Sequence, residues 1–306
     1  MQSSFKKLPG SLVELEVVLD QKEFKGYWDD AYNYAVANIH LKGFRPGTAP
    51  KELADAAIDK EKVFSEAAND AVRNSLDEIS KDNNWVIIDK PQVTVDEHNT
   101  GLKYKVVLTI FPEVKLGNYK KIAKQIFSEF VESAKLIKVE PAEVDKAIEW
   151  VRQSRKPRRA DLNKNNEVGA PTGASEKDGR ALELNDEFVK TLGNFQNVEE
   201  FRKNITDGLR MEKEFREKDK TRARVLEEII KDSKIDVPNI MIERTLDRIA
   251  GDKKDLRDKF RDKAKENVLG NLVLYKIAEE EKLDFDPEKG VDGMKVFDYL
   301  ENLASK

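Results

Sequence analysis

The residues best suited to binding chemistry stand in one short loop, Gly43-Phe44-Arg45-Pro46-Gly47. An aromatic ring and a guanidinium follow one another there, and the planar fork of arginine matches a carboxylate or a phosphate. The chain has no acidic residue from Ala31 to Lys51, whereas residues 1–112 as a whole carry 14 basic and 18 acidic side chains. The loop is therefore a site of local positive charge within a region of negative net charge. It either binds an anionic partner or packs Phe44 back onto its own domain with Arg45 in water.

Residue types that carry enzymatic chemistry are sparse in this chain. There is no cysteine, and the two histidines, His40 and His98, are far apart in the sequence. These facts exclude disulfides and thiolate metal sites, and they leave no histidine cluster for zinc. The chain contains neither of the two glycine-rich phosphate-binding motifs, GxxxxGK[ST] and GxGxxG. We expect no catalytic residues, no metal and no cofactor.

A second basic group follows a predicted helix near the middle of the chain. It holds five basic residues within eight positions: Arg152, Arg155, Lys156, Arg158 and Arg159. These side chains suit the phosphates of RNA. They are equally typical of a solvated helix end, where the macrodipole favours positive charge.

Composition limits the class of protein. Of the 306 residues, 37% are charged and 39% are hydrophobic, and the net charge is −4, which excludes a bulk polycation for nucleic acid. We expect about two domains from this length. No apolar run is long enough to span a membrane, and the first residues, MQSSFKKLPGS, lack the apolar core of a secretory signal. A cytoplasmic protein is the expectation.

The elements that must position the loop predict an α+β region over residues 1–112. Alternating apolar residues predict strands at Val13–Leu19 and Tyr104–Ile110, and Asn99-Thr100-Gly101 predicts the turn before the second of them. A further strand is predicted at Val86–Val95, where Pro91 indicates a sheet edge or a bulge. Helical spacing predicts helices on either side of the loop, at about 22–40 and 51–81.

The rest of the chain is predicted to be helical. We expect a linking segment and arm helix over 113–159, a flexible linker over 160–181 and an all-α domain over 182–306. In that domain the stretch from Glu212 to Arg224 is almost entirely charged, so its helix must project into solvent or pair along a narrow seam.

The stretch GFRPGTAP, residues 43–50, closely resembles the ribosome-binding loop of the trigger-factor family. The order of the elements around it agrees, as do Phe111-Pro112-Glu113-Val114, Leu184-Asn185-Asp186-Glu187-Phe188 and Ile235-Asp236-Val237-Pro238. The resemblance is collinear over nearly the whole chain. It implies an ATP-independent chaperone that meets nascent chains at the ribosomal exit tunnel.

Carried over by residue, the resemblance implies that Phe44 and Arg45 contact the ribosome directly and that Gly43 and Gly47 shape the loop. The site is therefore expected to comprise Gly43, Phe44, Arg45, Pro46 and Gly47. The family often has a lysine where this chain has Pro46 or Thr48, so one or two cationic contacts are missing here.

Family members typically carry a prolyl isomerase domain of the FKBP type between the arm helix and the C-terminal helices. Here residues 160–180 occupy that place and contain no aromatic residue to line a proline pocket. A domain of several strands does not fit in this interval. We therefore expect no isomerase activity, and hence a chaperone that is not an enzyme.

The resemblance also implies a helical cradle that covers unfolded chains. Candidate contact residues are the larger apolar side chains of the C-terminal half, although residues at helical spacing are more often core. Phe215 is the strongest of them because it stands within the charged stretch. The candidates are Phe195, Phe201, Met211, Phe215, Ile242, Phe260 and Phe297.

The expected partners are the ribosome, through an exit-tunnel protein and with ribosomal RNA as a further candidate, and nascent or unfolded polypeptides. No membrane partner is expected, and a homodimer stays open. The alternative is an assembly factor or holdase that binds folded partners such as ribosomal proteins with little ribosome docking. A prolyl isomerase on the same frame is the third hypothesis.

Overall fold

The computed structural model describes residues 1–42, 44, 45, 48, 50–96, 101–154, 183–283 and 290–304. Contacts between Cα atoms divide the chain into two compact units, each made of segments distant in sequence. Unit 1 comprises 1–117 and 230–293, and unit 2 comprises 118–229 and 294–306. These units cut across the predicted segments 113–159 and 182–306, whose domain bounds stay predictions.

The elements follow one another as strands and helices in unit 1, helices in unit 2, a return to unit 1, and a last helix in unit 2. In chain order they are β1 (Gln2–Leu8), β2 (Leu12–Asp20), α1 (Gln21–Asn38), α2 (Lys51–Ala57), α3 (Lys60–Asp82), β3 (Gln92–Asp96), β4 (Gly101–Thr109), β5 (Val114–Lys115), α4 (Tyr119–Ala134), α5 (Pro141–Ser154), α6 (Asp186–Leu192), α7 (Val198–Asp232), β6 (Lys234–Ile235), α8 (Asn239–Ala250), α9 (Lys254–Glu280) and α10 (Gly293–Asn302).

The centre of unit 1 is an antiparallel four-stranded sheet in the order β1-β2-β4-β3. Every second residue of β2 and of β4 is buried, and the register pairs Leu15 with Val106 and Val17 with Tyr104. Side chains of successive strand residues point to opposite faces, so this pairing gathers the apolar residues on one face. Helices α1 and α3 cover that face.

Local signals set the starts of both covering helices. Asp20 and Glu23 form a reciprocal capping box at the start of α1, and Asp59 accepts hydrogen bonds from two backbone N–H groups at the start of α3. The core of unit 1 also contains one polar pair, in which the hydroxyls of Ser75 and Tyr104 lie 2.6 Å apart. Burial raises the pKa of Tyr104, so its phenol stays protonated.

The predicted fold class is confirmed: an α+β amino-terminal region with a small antiparallel sheet precedes a mostly helical remainder. One strand prediction needs correction, and one turn prediction is not tested. Of the strand predicted over Val86–Val95, β3 begins only at Gln92, and before Pro91 an isolated bridge pairs Ile87 with Ile110, since proline cannot donate to a ladder. β3 is an edge strand of the sheet, as Pro91 indicated. The turn predicted at residues 99–101 lies mostly outside the described residues, because 97–100 are not among them.

Three strands have no alternating pattern and were not expected. Six of the seven residues of β1 are exposed, so its sequence carries no buried face. Strands β5 and β6 have two residues each and pair Val114 with Ile235. The pairing connects the end of the amino-terminal segment to the stretch before α8.

The 230–293 segment packs onto the rest of unit 1 around the pairing of β5 with β6. Val114 lies in a buried cluster with Val268 and Leu272 of α9. Beside it the Ser11 N–H donates to the Asp236 carboxylate at 2.9 Å. The Arg244 guanidinium of α8 donates to the Ile88 carbonyl at 2.8 Å. The 230–293 segment thus shares its packing with residues of the amino-terminal segment.

The regular elements of the described part of unit 2 are all helices. Val144 and Ile148 of α5 pack against Phe188 and Val189 of α6 and Phe201 of α7. Pro141 is the first residue of α5, as predicted, because proline suits the first helical turn. The predicted linker 160–181 lies outside the described residues.

We expect Leu15→Ala to destabilise unit 1 by about 2–5 kcal/mol, because it opens a cavity under the central strand. Urea unfolding is followed by tryptophan fluorescence in a Trp150→Phe background, which leaves Trp28 and Trp85 as the tryptophans, both within unit 1. The control, Glu14→Ala, changes the adjacent exposed residue and is expected to shift stability by less than about 0.5 kcal/mol. Equal losses in the two variants would contradict the described register.

Candidate functional site

The loop between α1 and α2 presents its aromatic and its cation to solvent. Phe44 is 41% exposed and does not belong to the core of unit 1. Arg45 is exposed as well, and it has no ion pair within the described chain. Residues Gly43, Pro46 and Gly47 lie outside the described residues.

Short-range hydrogen bonds constrain the backbone of the two residues. The Phe44 N–H donates to the Leu41 carbonyl at 3.1 Å. The Arg45 carbonyl accepts two hydrogen bonds from Thr48, from its N–H at 3.0 Å and from its hydroxyl at 2.7 Å. These bonds use backbone groups of the loop and leave the ring and the guanidinium available.

The apolar candidates divide by exposure. Phe201 and Ile242 are core residues, at 3% and 8% exposure. Phe195 packs edge-to-face on Phe201 with ring centroids 5.2 Å apart, and Phe260 packs against the cluster that contains Ile242. These residues serve packing within their own units, so a role in contacting an unfolded chain stays a prediction that their burial disfavours.

Phe297 of α10 is half-buried, and the guanidinium of Arg222 lies 5.9 Å from its ring centroid. Arg222 is itself buried and reaches Asp298 of α10 at 3.4 Å. A guanidinium over an aromatic face is a favourable pairing. Phe297 therefore packs in the contact between α7 and α10.

Met211 and Phe215 are the exposed members of the set, at 70% and 61%. They stand four residues apart on α7, so they are neighbours on one helix face. The same stripe continues at intervals of seven, three and four residues through Arg222, Val225 and Ile229, all of which are buried. The stripe is buried near the end of α7 and exposed at Met211 and Phe215. We call this exposed part, formed by Met211 and Phe215, the α7 face.

Ion pairs flank the α7 face. Arg210 bonds Glu214 at 2.9 Å, and Arg216 bonds Glu212 at 2.5 Å. Both pairs are four residues apart and exposed, so each contributes little stability. Together they give the face a mixed character, apolar at its centre and charged at its edges.

A further ion pair fixes this part of α7 to α5. The Lys213 ammonium donates to the Glu143 carboxylate at 2.6 Å and to the Lys138 carbonyl at 2.8 Å. The Lys213 bond, and then the bond that the Glu140 N–H donates, lower the pKa of Glu143. Lys213 lies away from Met211 and Phe215, so the ion pair leaves the α7 face open.

Residues 1–151 match the family model for the bacterial trigger factor protein. The amino-terminal half of this chain belongs to the trigger-factor family. The trigger factor of Acetivibrio thermocellus is 22% identical over 367 residues, which cover 91% of this chain and 86% of that protein. The trigger factor of Caldicellulosiruptor bescii is 25% identical over 362 residues, with 90% and 83% covered. The resemblance read from the sequence is confirmed.

The fold agrees over the whole length. A solved structure from work on promiscuous substrate recognition in the folding and assembly activities of the trigger factor chaperone aligns at a TM-score of 0.56. It is 16% identical and covers 98% of this chain and 96% of its own. At 16% identity this similarity supports a shared fold and nothing more.

The sequence interpretation missed several exposed apolar residues of unit 2. Leu136 is 75% exposed, Trp150 is 71% exposed and Val131 is 47% exposed. For Trp150 a signal was available: it falls off the buried stripe of Val144 and Ile148. A large aromatic residue off the apolar stripe of a helix indicates a surface position.

Other sequence candidates are only partly described. Arg152 bonds Glu149 at 2.7 Å, whereas residues 155–159 and His98 lie outside the described residues. Within the described chain no group of acidic residues and histidines is arranged to hold a metal ion. No described helix is long and apolar enough to cross a membrane.

We expect Lys213→Met to raise the pKa of Glu143 toward that of an ordinary glutamate, because the largest cause of the lowered value is removed. Because the pKa of Glu143 is lowered in the folded state, its ion pair stabilises the fold at pH values above the pKa that Glu143 has in the unfolded chain. That contribution is lost as pH falls through the lowered pKa. Carboxyl carbon NMR of Glu143 across acid pH measures the change.

Lys146→Met is the matched control, since Lys146 is the smallest cause of the shift. It is expected to move the pKa of Glu143 less than Lys213→Met does. An unchanged pKa in the Lys213 variant would show that the ion pair between α5 and α7 is absent in solution.

Proposed function

We propose that this protein is an ATP-independent chaperone that docks at the ribosomal exit tunnel and shields apolar segments of nascent or unfolded chains. The observation that carries the docking part is the adjacent exposure of Phe44 and Arg45 on a short loop of a trigger-factor domain. We propose a cytoplasmic location for it, with the ribosome and unfolded polypeptides as its partners.

The chemistry of the loop supports docking on an anionic surface. Arg45 supplies a fork for a carboxylate or phosphate, and Phe44 supplies an apolar anchor that gains about 25 cal/mol per Å2 when it is buried. Thr48 stands where relatives often carry a lysine, and it binds the Arg45 carbonyl instead of adding a charge. Because position 48 adds no lysine, binding of an anionic partner by this loop depends more strongly on the Arg45 guanidinium.

The α7 face supports the shielding part of the proposal. Met211 and Phe215 offer apolar area without enclosing a pocket, and salt bridges flank them. Such a surface holds an exposed apolar segment weakly and without sequence preference, because burial of apolar area is non-directional. Weak holding suits a chain that must later be released to fold.

We propose that binding, without prolyl isomerisation, is the whole of this activity. The alignment with the Acetivibrio thermocellus protein extends over 367 residues, more than the 306 of this chain. That relative therefore contains segments with no counterpart here. Helix α5 ends at Ser154 and α6 begins at Asp186, an interval too short for an isomerase domain of several strands.

A second candidate is an assembly factor that binds folded partners such as ribosomal proteins. It is favoured by the similar chaperone of known structure, whose reported activities include assembly as well as folding. The two candidates differ in the client, which is unfolded in the first and folded in the second.

We expect Phe44→Ala with Arg45→Ala to weaken binding to ribosomes by about ten-fold or more, because both anchors are lost. Co-sedimentation with ribosomes that carry no nascent chain, at low and at raised salt, measures this. The matched control is Phe215→Ala with Arg216→Ala, which removes the same two residue types from an exposed position of unit 2.

The control is expected to bind ribosomes as the unchanged chain does, and raised salt is expected to weaken binding of both. If the loop variant sediments as well as the control does, docking through this loop is refuted. If the unchanged chain fails to sediment at low salt, the ribosome is not its partner and the assembly proposal takes its place.

We expect Met211→Ser with Phe215→Ser to reduce the suppression of aggregation of chemically denatured citrate synthase, because the open apolar centre of the α7 face is removed. Light scattering measures aggregation. Leu53→Ser with Ile249→Ser is the control, since it removes two exposed apolar side chains from helices of unit 1. Adding ATP or removing it with apyrase is expected to change neither result.

Equal losses in the two pairs would contradict a role for the α7 face. Binding of folded citrate synthase as strong as that of the denatured form would favour the assembly candidate. The variants are expected to keep the thermal stability of the unchanged chain, because all four side chains are exposed.

A further inference from the structure

Helices α1 and α3 of unit 1 leave between them an open groove of about 790 Å3. This volume lies in the range of pockets that hold drug-sized ligands. The side chains along its floor are small or aliphatic, and several are half-buried in the groove wall. They are Ala31, Ala35, Ile39, Ala57, Ile58 and Val63.

The edges of this α1–α3 groove are acidic. Asp30 and Glu66 are exposed, and within the described chain neither has an ion-pair partner. Asp70 lies 3.6 Å from Arg73, and both side chains are mostly exposed. Asp59 also lines the groove while it caps α3. Against these carboxylates Lys62 is the sole basic side chain among the described lining residues.

Two helix ends with opposite partial charges border the groove. Asn38 and Ile39 at this end line the groove. The last carbonyls of a helix carry a partial negative charge, which a basic residue in the last turn would offset. The last turn of α1 has no basic residue. The first turn of α3, which Asp59 caps, also borders the groove and carries the opposite partial charge, so the negative potential of the edges depends on the carboxylates.

An aromatic ring completes the edge of the groove. Tyr34 lies between the floor residues Ala31 and Ala35 on α1 and is 74% exposed. The face of a tyrosine ring attracts ammonium and guanidinium groups. A cationic side chain that follows the edge therefore meets carboxylates and an aromatic face.

We propose that the α1–α3 groove binds an extended peptide segment in which lysine or arginine alternates with apolar residues. In an extended segment alternate side chains point to opposite sides, so one set enters the apolar floor while the other reaches toward the edges. The lined part of α3, from Asp59 to Asp70, is roughly 16 Å long at 1.5 Å per residue. About five extended residues at 3.3 Å each cover that length.

The chemistry of the groove separates this occupant from others. Carboxylates at the edges repel the phosphates of nucleic acids, so an RNA ligand is disfavoured. An apolar floor gives no binding energy to a free polyamine, which has the charges without the apolar side chains. The proposal is also independent of ribosome docking and of the α7 face, because none of the residues concerned is shared.

The test uses the full chain and a fluorescein-labelled peptide of alternating lysine and leucine, with binding followed by anisotropy. Two matched peptides replace every lysine by glutamate or every leucine by serine. We expect saturable binding of the first peptide, weaker binding as salt rises, and much weaker binding of both replacements. Equal binding of the glutamate or the serine peptide would overturn the proposal, as would competition by spermidine at equal charge concentration.

Variants of the chain locate the binding. Asp30→Asn with Glu66→Gln is expected to weaken it by about five-fold, because two exposed charge contacts are lost. Asp77→Asn with Glu78→Gln removes two charges from exposed positions of the same helix α3 outside the groove, and its effect is expected to stay below about two-fold. Circular dichroism checks that both variants keep the fold.

Two further variants separate peptide binding in the groove from peptide binding on the α7 face. Tyr34→Ser is expected to weaken binding more than Met211→Ser with Phe215→Ser does, because the α7 face holds apolar segments only weakly. Equal losses in the groove and control variants, or loss only in the α7 variant, would refute the proposal. Absence of peptide binding together with dimerisation that depends on Asp30 and Glu66 would identify a second copy of this chain as the occupant instead.

Discussion

The antiparallel pairing of β2 with β4 is the constraint on which unit 1 depends. Its register sets Leu15 against Val106 and brings the apolar residues of both strands to one face. Helices α1 and α3 must cover that face, because its side chains are almost fully buried in the finished core. A slip of one residue would turn this set toward solvent. The loop with Phe44 and the α1–α3 groove both follow from the placement of these two helices.

A much smaller pairing determines the composition of unit 1. Strands β5 and β6 have two residues each, yet they join Val114 to Ile235 across more than a third of the chain. The apolar cluster around Val114, with Val268 and Leu272, supplies the stabilising area that so short a ladder lacks. The segment between these strands is therefore free to form a separate helical unit, and α7 carries an open face there.

Much of this architecture could be predicted from local patterns. The alternation along β2 and the helical spacing of α3 predict their structures because one face of each is buried. The strand β1 could not be predicted in this way, since it is exposed along nearly its whole length and carries no periodic signal. In α7 the same apolar spacing contains both the buried Val225 and the exposed Phe215, so periodicity alone does not tell core from contact surface.

The sequence by itself determined the residue types that can act: a cation and an aromatic side by side at Phe44-Arg45, no cysteine, and a charged stretch around Phe215. These are properties of local composition, and folding does not alter them. Only the tertiary structure decided which apolar side chains stay exposed and that Asp30 and Glu66 border one groove. The physical reason is that burial and charge proximity depend on contacts between residues distant along the chain.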